Sequence, residues 1–136
     1  MKTFQKDRFD QERKLWQSQG LKNFSYNYYW FCGEGYGSYK IKIVDGKIDK
    51  VIPEKDSFVG PETSRFLLKS VFEMVEKQYK RYKDNPKRDG RELKKFEVSY
   101  DTKFHFINNF STHFKTPPNL MDASGCTYSI SNFKVE

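Results

Sequence analysis

An Asp45-Gly46 pair stands between two alternating runs, Tyr39-Lys40-Ile41-Lys42-Ile43-Val44 and Lys47-Ile48-Asp49-Lys50-Val51-Ile52. A two-residue link closes antiparallel strands only if its backbone twists as strands do, which requires positive φ at both central positions. Asp-Gly accepts that conformation. The pair therefore predicts a β-hairpin, and an antiparallel sheet with it. Upstream, Phe24–Cys32 also alternates, which places Phe24, Tyr26, Tyr28, Trp30 and Cys32 on one strand face. Gly33-Glu34-Gly35-Tyr36-Gly37 reads as the turn between that strand and the hairpin.

Two segments carry helical periodicity. Asp7 to Gln19 is amphipathic through Phe9, Leu15 and Trp16, with Gly20 as its stop. After a loop from Pro53 to Gly60, Pro61-Glu62 is placed to open a long helix. Leu68, Phe72, Val75, Tyr79 and Tyr82 recur at helical spacing along it, widened by Leu67, Val71 and Met74, and such a stripe lies on a sheet. The polar segment Lys83 to Arg91, with Asn85-Pro86 and Asp89-Gly90, ends it. Three strands follow at Phe96–Tyr100, about His105–Phe114 and Cys126–Phe133, with a loop from Lys115 to Gly125 before the last. The expected fold is α+β, in the order α-β-β-β-α-β-β-β. It is an antiparallel sheet of about five or six strands with both helices packed on one face.

A chain of 136 residues falls within the size of one domain, so residues 1–136 are expected to share one core. Only 36% of residues are hydrophobic, yet 13 Phe, 9 Tyr and 2 Trp bury more surface each than aliphatic side chains do. A disordered chain is poor in these residues. No apolar run approaches the roughly 18 residues of a membrane span, and the first residues lack a secretory hydrophobic region. Met1 is thus compatible with an internal protein or with a leader removed upstream. Cys32 and Cys126 lack the clustering of a metal or redox site. Strand parity puts Cys126 with Tyr128 and Ile130, as Cys32 goes with Trp30, so the two thiols are either one bridge or two buried groups.

Candidate chemistry is sparse. His105 and His113 sit eight residues apart, roughly 26 Å along one strand, so they cannot share a metal, and the sequence sets no nucleophile or carboxylate beside either. The glycines at 33, 35 and 37 lead into a strand rather than a helix, unlike a phosphate loop. Asp101 and Asp122 fall at strand ends, where Asp caps backbone N–H groups. Lys103-Phe104-His105-Phe106-Ile107 matches an RNA-recognition strand only in part, and the element order is wrong for that fold. Catalytic, cofactor and metal residues are therefore all expected to be none.

Charge is more informative. Lys77, Lys80, Arg81, Lys83, Lys87, Arg88, Arg91, Lys94 and Lys95 face only three acids in the same span, Asp84, Asp89 and Glu92. That leaves +6 of the chain's +7 in residues 77–95. Such a patch attracts nucleic acid, anionic lipid or an acidic protein. A solvated helix end, where cations complement the macrodipole, is the favoured account, since charge alone does not make a site.

The ordered set Leu15-Trp16 through Gly20, Asn23-Phe24-Ser25-Tyr26, Phe31-Cys32, Ile41 to Ile48, the helix from Thr63 to Val75, Val98-Ser99-Tyr100-Asp101 and Tyr128 to Phe133 resembles the bacterial domain-of-unknown-function family 6174. Its members are small exported or lipoprotein domains. The resemblance implies an α+β sheet and export to the periplasm, cell surface or medium, with the cytoplasm as the alternative, and it supplies no activity. The expected function is a non-enzymatic binding or scaffolding module of the envelope, its partner a protein or glycan ahead of nucleic acid. The alternatives are an anion-binding module using residues 77–95, and a hydrolase-type enzyme whose groups meet only in the fold.

Overall fold

The Asp45-Gly46 link has φ of 53° and 76°, and Val44 faces Lys47 across it, which is the two-residue hairpin that the sequence predicts. The computed structural model describes residues 2–32, 35–88, 91–115 and 123–136. Its elements run β1 (Lys2–Thr3), α1 (Lys6–Ser18), β2 (Phe24–Cys32), β3 (Gly35–Val44), β4 (Lys47–Pro53), a 3-10 turn (Ser64–Phe66), α2 (Leu68–Asp84), β5 (Lys87–Arg88), β6 (Arg91–Tyr100), β7 (Ile107–Lys115) and β8 (Ala123–Val135). Six of the strands are long, and their order along the chain with the two helices is α-β-β-β-α-β-β-β.

The sheet is antiparallel throughout, in the order β1-β6-β7-β8-β2-β3-β4, with β5 pairing β6 at its start. Two meanders, β2-β3-β4 and β6-β7-β8, are thus joined where the last strand pairs with β2. Helix α2 connects the far edge of one meander to the far edge of the other. Of its stripe, Leu68, Val71, Phe72, Val75 and Tyr82 are buried. They meet Tyr26, Tyr28, Tyr39, Ile41, Ile43, Phe96, Val98, Phe110 and Phe114 of the sheet in one cluster. Ring-against-ring contacts recur through it. The Tyr28, Tyr39 and Phe66 rings lie within 4.7–6.5 Å of one another, and Phe72 reaches Phe9 of α1 at 5.7 Å. Each such pair adds about 0.5–1.5 kcal/mol to the area it buries.

Several boundaries differ from expectation, each for a local reason. Helix α2 begins at Leu68, not Pro61, because Ser64–Phe66 forms a 3-10 turn and Leu67 at its end is extended, with ψ 141°. Leu15 is exposed, and the inward side of α1 is Phe9, Glu12 and Trp16 instead. His105 is not in a strand but in the turn before β7, with φ of 70°. Gly35 to Gly37, expected in a turn, opens β3 and pairs with Cys32 to Trp30. Gly33, Glu34, Asp89, Gly90 and residues 116–122 of the last loop lie outside the described residues.

Candidate functional site

Strand β2 puts Tyr28, Trp30 and Cys32 on the helix-bearing face. Opposite Trp30 in β3 stands Gly37, and the indole fills the space a side chain there would take. A Cβ on Gly37 would lie 2.2 Å from Trp30 Nε1, and one on Gly35 would lie 3.2 Å from the far end of the ring. Gly35 and Gly37 therefore serve neither a phosphate nor a flexible turn. They let a tryptophan lie against the β3 backbone. Trp30 Nε1 is buried there without a hydrogen-bond partner among the described residues. An orphaned donor of that kind costs about 1–3 kcal/mol.

Trp30 also lines a cleft of about 430 Å³ between the sheet and the first half of α2. Its floor is Tyr28, Trp30, Cys32 and Tyr128, and Val71 and Met74 form the apolar wall. Ser64, Arg65, Ser70, Glu73 and Lys77 complete the rim. Burial pushes the Tyr28 and Tyr128 hydroxyls above the usual phenolic range, while Arg65 lies near enough to pull both the other way. Neither Arg65 nor Lys77 has an ion-pair partner among the described residues. Cys32 lies opposite Cys126 in register, and the two are joined in a disulfide at the end of the β2–β8 ladder.

Members of the basic span line two different clefts. Lys77 lines the Trp30 cleft. Lys83 joins Lys94 and Lys95 on the other flank of α2, around a second cleft of about 320 Å³ floored by Phe4, Tyr79, Leu93 and Phe96. No acid is among that cleft's lining residues. Lys80 and Arg81 are exposed on α2 and Lys87 is exposed in β5. Arg88 belongs to β5, and Arg91 starts β6 half-buried.

Histidine chemistry takes a form the sequence did not reveal. His105 Nδ1 is 2.7 Å from Glu12 Oε2, and Arg8 Nε donates to the other Glu12 oxygen at 2.8 Å. Glu12 is 93 residues away in sequence from His105. No local signal links them beyond a carboxylate on the inward face of an amphipathic helix. Arg8 and Tyr100 line a further cleft of about 470 Å³, but Glu12 and His105 are not among its lining residues. The pair ties α1 to the turn between β6 and β7, and buried carboxylates need such partners. His113 lies within β7 and pairs across to Lys95 in β6, whereas His105 precedes that strand. Asp101 Oδ2 accepts from the backbone N–H of Lys103 and Phe104 at 3.0 and 2.7 Å, a turn role. Asp122 lies outside the described residues.

The outward sheet face keeps three large rings in solvent: Tyr29, Phe31 and Tyr36, each more than a third exposed. Among the described residues no group of three or more His, Cys, Asp or Glu side chains is arranged to hold a metal. None of the described helices is long and apolar enough to cross a membrane. Comparison with protein families, with curated proteins and with solved structures returns no match.

Proposed function

We propose that this chain is a non-enzymatic binding module of the cell envelope or of the medium, and that its ligand enters the cleft between α2 and strands β2 and β8. One observation carries the reading. Trp30 packs against two glycines of β3, its buried indole N–H has no partner among the described residues, and it lines a cleft between the sheet and α2. Binding sites are concave, mostly apolar and furnished with a few convergent polar groups. This cleft joins apolar and aromatic side chains to Arg65, Lys77 and Ser70. The Cys32–Cys126 bond supports an oxidising compartment, which agrees with the export implied by the resemblance to family 6174. The partner is a protein or glycan of that compartment that presents a terminal group to the cleft.

With Trp16 replaced by Phe, Trp30 becomes the sole indole and reports on the cleft directly. Titration with mono- and disaccharides, uronic acids and dipeptides should give a saturable change in its emission with one class. Turnover of ester, phosphoester or peptide substrates, or an unresponsive Trp30 throughout, overturns the proposal.

A second reading rests on Lys83, Lys94 and Lys95. Three cations share a cleft without an acid among its lining residues, which favours an anion-binding module. It predicts binding to DNA or anionic vesicles that weakens steeply with salt, and salt-independent or absent binding removes it.

A further inference from the structure

Resting on the binding-module reading, we infer that the group held in the Trp30 cleft is a flat organic anion bearing a single negative charge. Its body stacks on Trp30 and Tyr128, and its acidic group meets Arg65 and Lys77.

The charges of the cleft set the sign. Arg65, Lys77 and Glu73 are its ionic lining residues, a net of one positive charge. All three are exposed at the rim, and none forms an ion pair among the described residues. Ordinary surface cations gain little from a partner. Here the partner would sit beside Tyr28, Trp30 and Tyr128 and could take two charge-assisted hydrogen bonds, which are stronger than neutral ones. Arg65 is also held in place, with its guanidinium carbon 4.7 Å from the Phe66 ring centre. It is close enough to act electrostatically on the hydroxyls of Tyr28 and Tyr128 at the floor. A neutral ligand would leave this charge uncompensated, and a dianion would meet Glu73.

The shape of the floor sets the body of the ligand. Trp30, Tyr28 and Tyr128 supply aromatic lining, and a cleft of about 430 Å³ takes one or two rings. Stacking on such rings needs a planar aromatic or the flat side of a sugar ring, so an aromatic acid and a uronic acid share the required chemistry.

The test uses two probes of nearly the same body, one charged and one not: 8-anilinonaphthalene-1-sulfonate and N-phenyl-1-naphthylamine. In the Trp16→Phe protein, energy transfer from Trp30 reports binding of either. The anionic probe should bind about tenfold more weakly to Arg65→Ala, and Lys77→Ala should weaken it in the same direction. Glu73→Gln should tighten it. The neutral probe should be indifferent to all three changes. If both probes bind and neither responds to these substitutions, the cleft remains a binding site and the anion inference is wrong. If neither probe accepts energy from Trp30, the binding-module reading falls as well. Glucuronic acid and 1-naphthoic acid, used as competitors of the anionic probe, distinguish a sugar acid from an aromatic one.

Discussion

Replacing both Cys32 and Cys126 with alanine should cost the protein a large part of its stability, and the size of the loss follows from topology. The bond closes a loop between residues 94 positions apart. In the chain-entropy account a loop of that length removes about 4.7 kcal/mol of freedom from the unfolded chain at room temperature. The two strands already pair in register at this point, so the folded state gains little new order from the bond, and most of the effect lies in the unfolded state. A loss of roughly 3–4.7 kcal/mol should lower the melting temperature by about 10–20 °C for a chain of this size. Urea unfolding followed by far-ultraviolet dichroism measures it, with the slope held as a check on two-state behaviour. Alkylation followed by mass spectrometry, with and without reductant, gives the bonding state independently. Two free thiols in the unreduced protein, or a double variant within about 1 kcal/mol of the parent, would refute the reasoning.

Other perturbations follow from the same geometry. Tyr26 and Tyr28 are buried, and burial raises both hydroxyls well above their ordinary value; below about pH 10 both states keep the proton and the shift costs nothing. As pH rises past that point the unfolded chain ionises and the folded one does not, so stability should fall by about 1.4 kcal/mol per pH unit for each of these tyrosines. Urea midpoints that stay flat between about pH 9 and 11 would contradict this. Gly37→Ala should displace Trp30 and cost about 1–3 kcal/mol, since its Cβ would also meet Tyr39 Oη at 2.6 Å; an unchanged Trp30 emission spectrum would count against the seat. Glu12→Ala should cost roughly 1.5–3 kcal/mol by stripping Arg8 and His105 of their acceptor, and His105→Ala in that background should add little in a double-mutant cycle. Full additivity would mean the contact does not matter.

Where chemistry was local, the sequence could be read. Asp45-Gly46 demanded its turn, and the α2 stripe from Leu68 to Tyr82 named the core face residue by residue. The alternation of Phe24 to Cys32 separated inner from outer rings, so most aromatics could be assigned to the core. What escaped depends on neighbours distant in the chain. Glu12 looks like a solvent-facing acid until His105 and Arg8 close on it. Gly35 and Gly37 look like turn residues until Trp30 occupies the space above them. The basic span from Lys77 to Lys95 is continuous in sequence, and only the fold shows that Lys77 lines one cleft and Lys83 another. The Trp30 cleft itself had no sequence signature, because its parts come from β2, β8, the 3-10 turn and α2.

The most direct test of the account is to map a bound ligand on the protein by nitrogen-15 nuclear magnetic resonance. Titration with the first sugar acid or aromatic acid to change Trp30 emission should move the Trp30 indole N–H together with the backbone signals of Tyr28, Arg65, Lys77 and Tyr128, and leave Tyr29, Phe31 and Tyr36 in place. Shifts gathered on the outward face at Tyr29, Phe31 and Tyr36, or around Lys83, Lys94 and Lys95 with Trp30 unmoved, would place recognition elsewhere and contradict it.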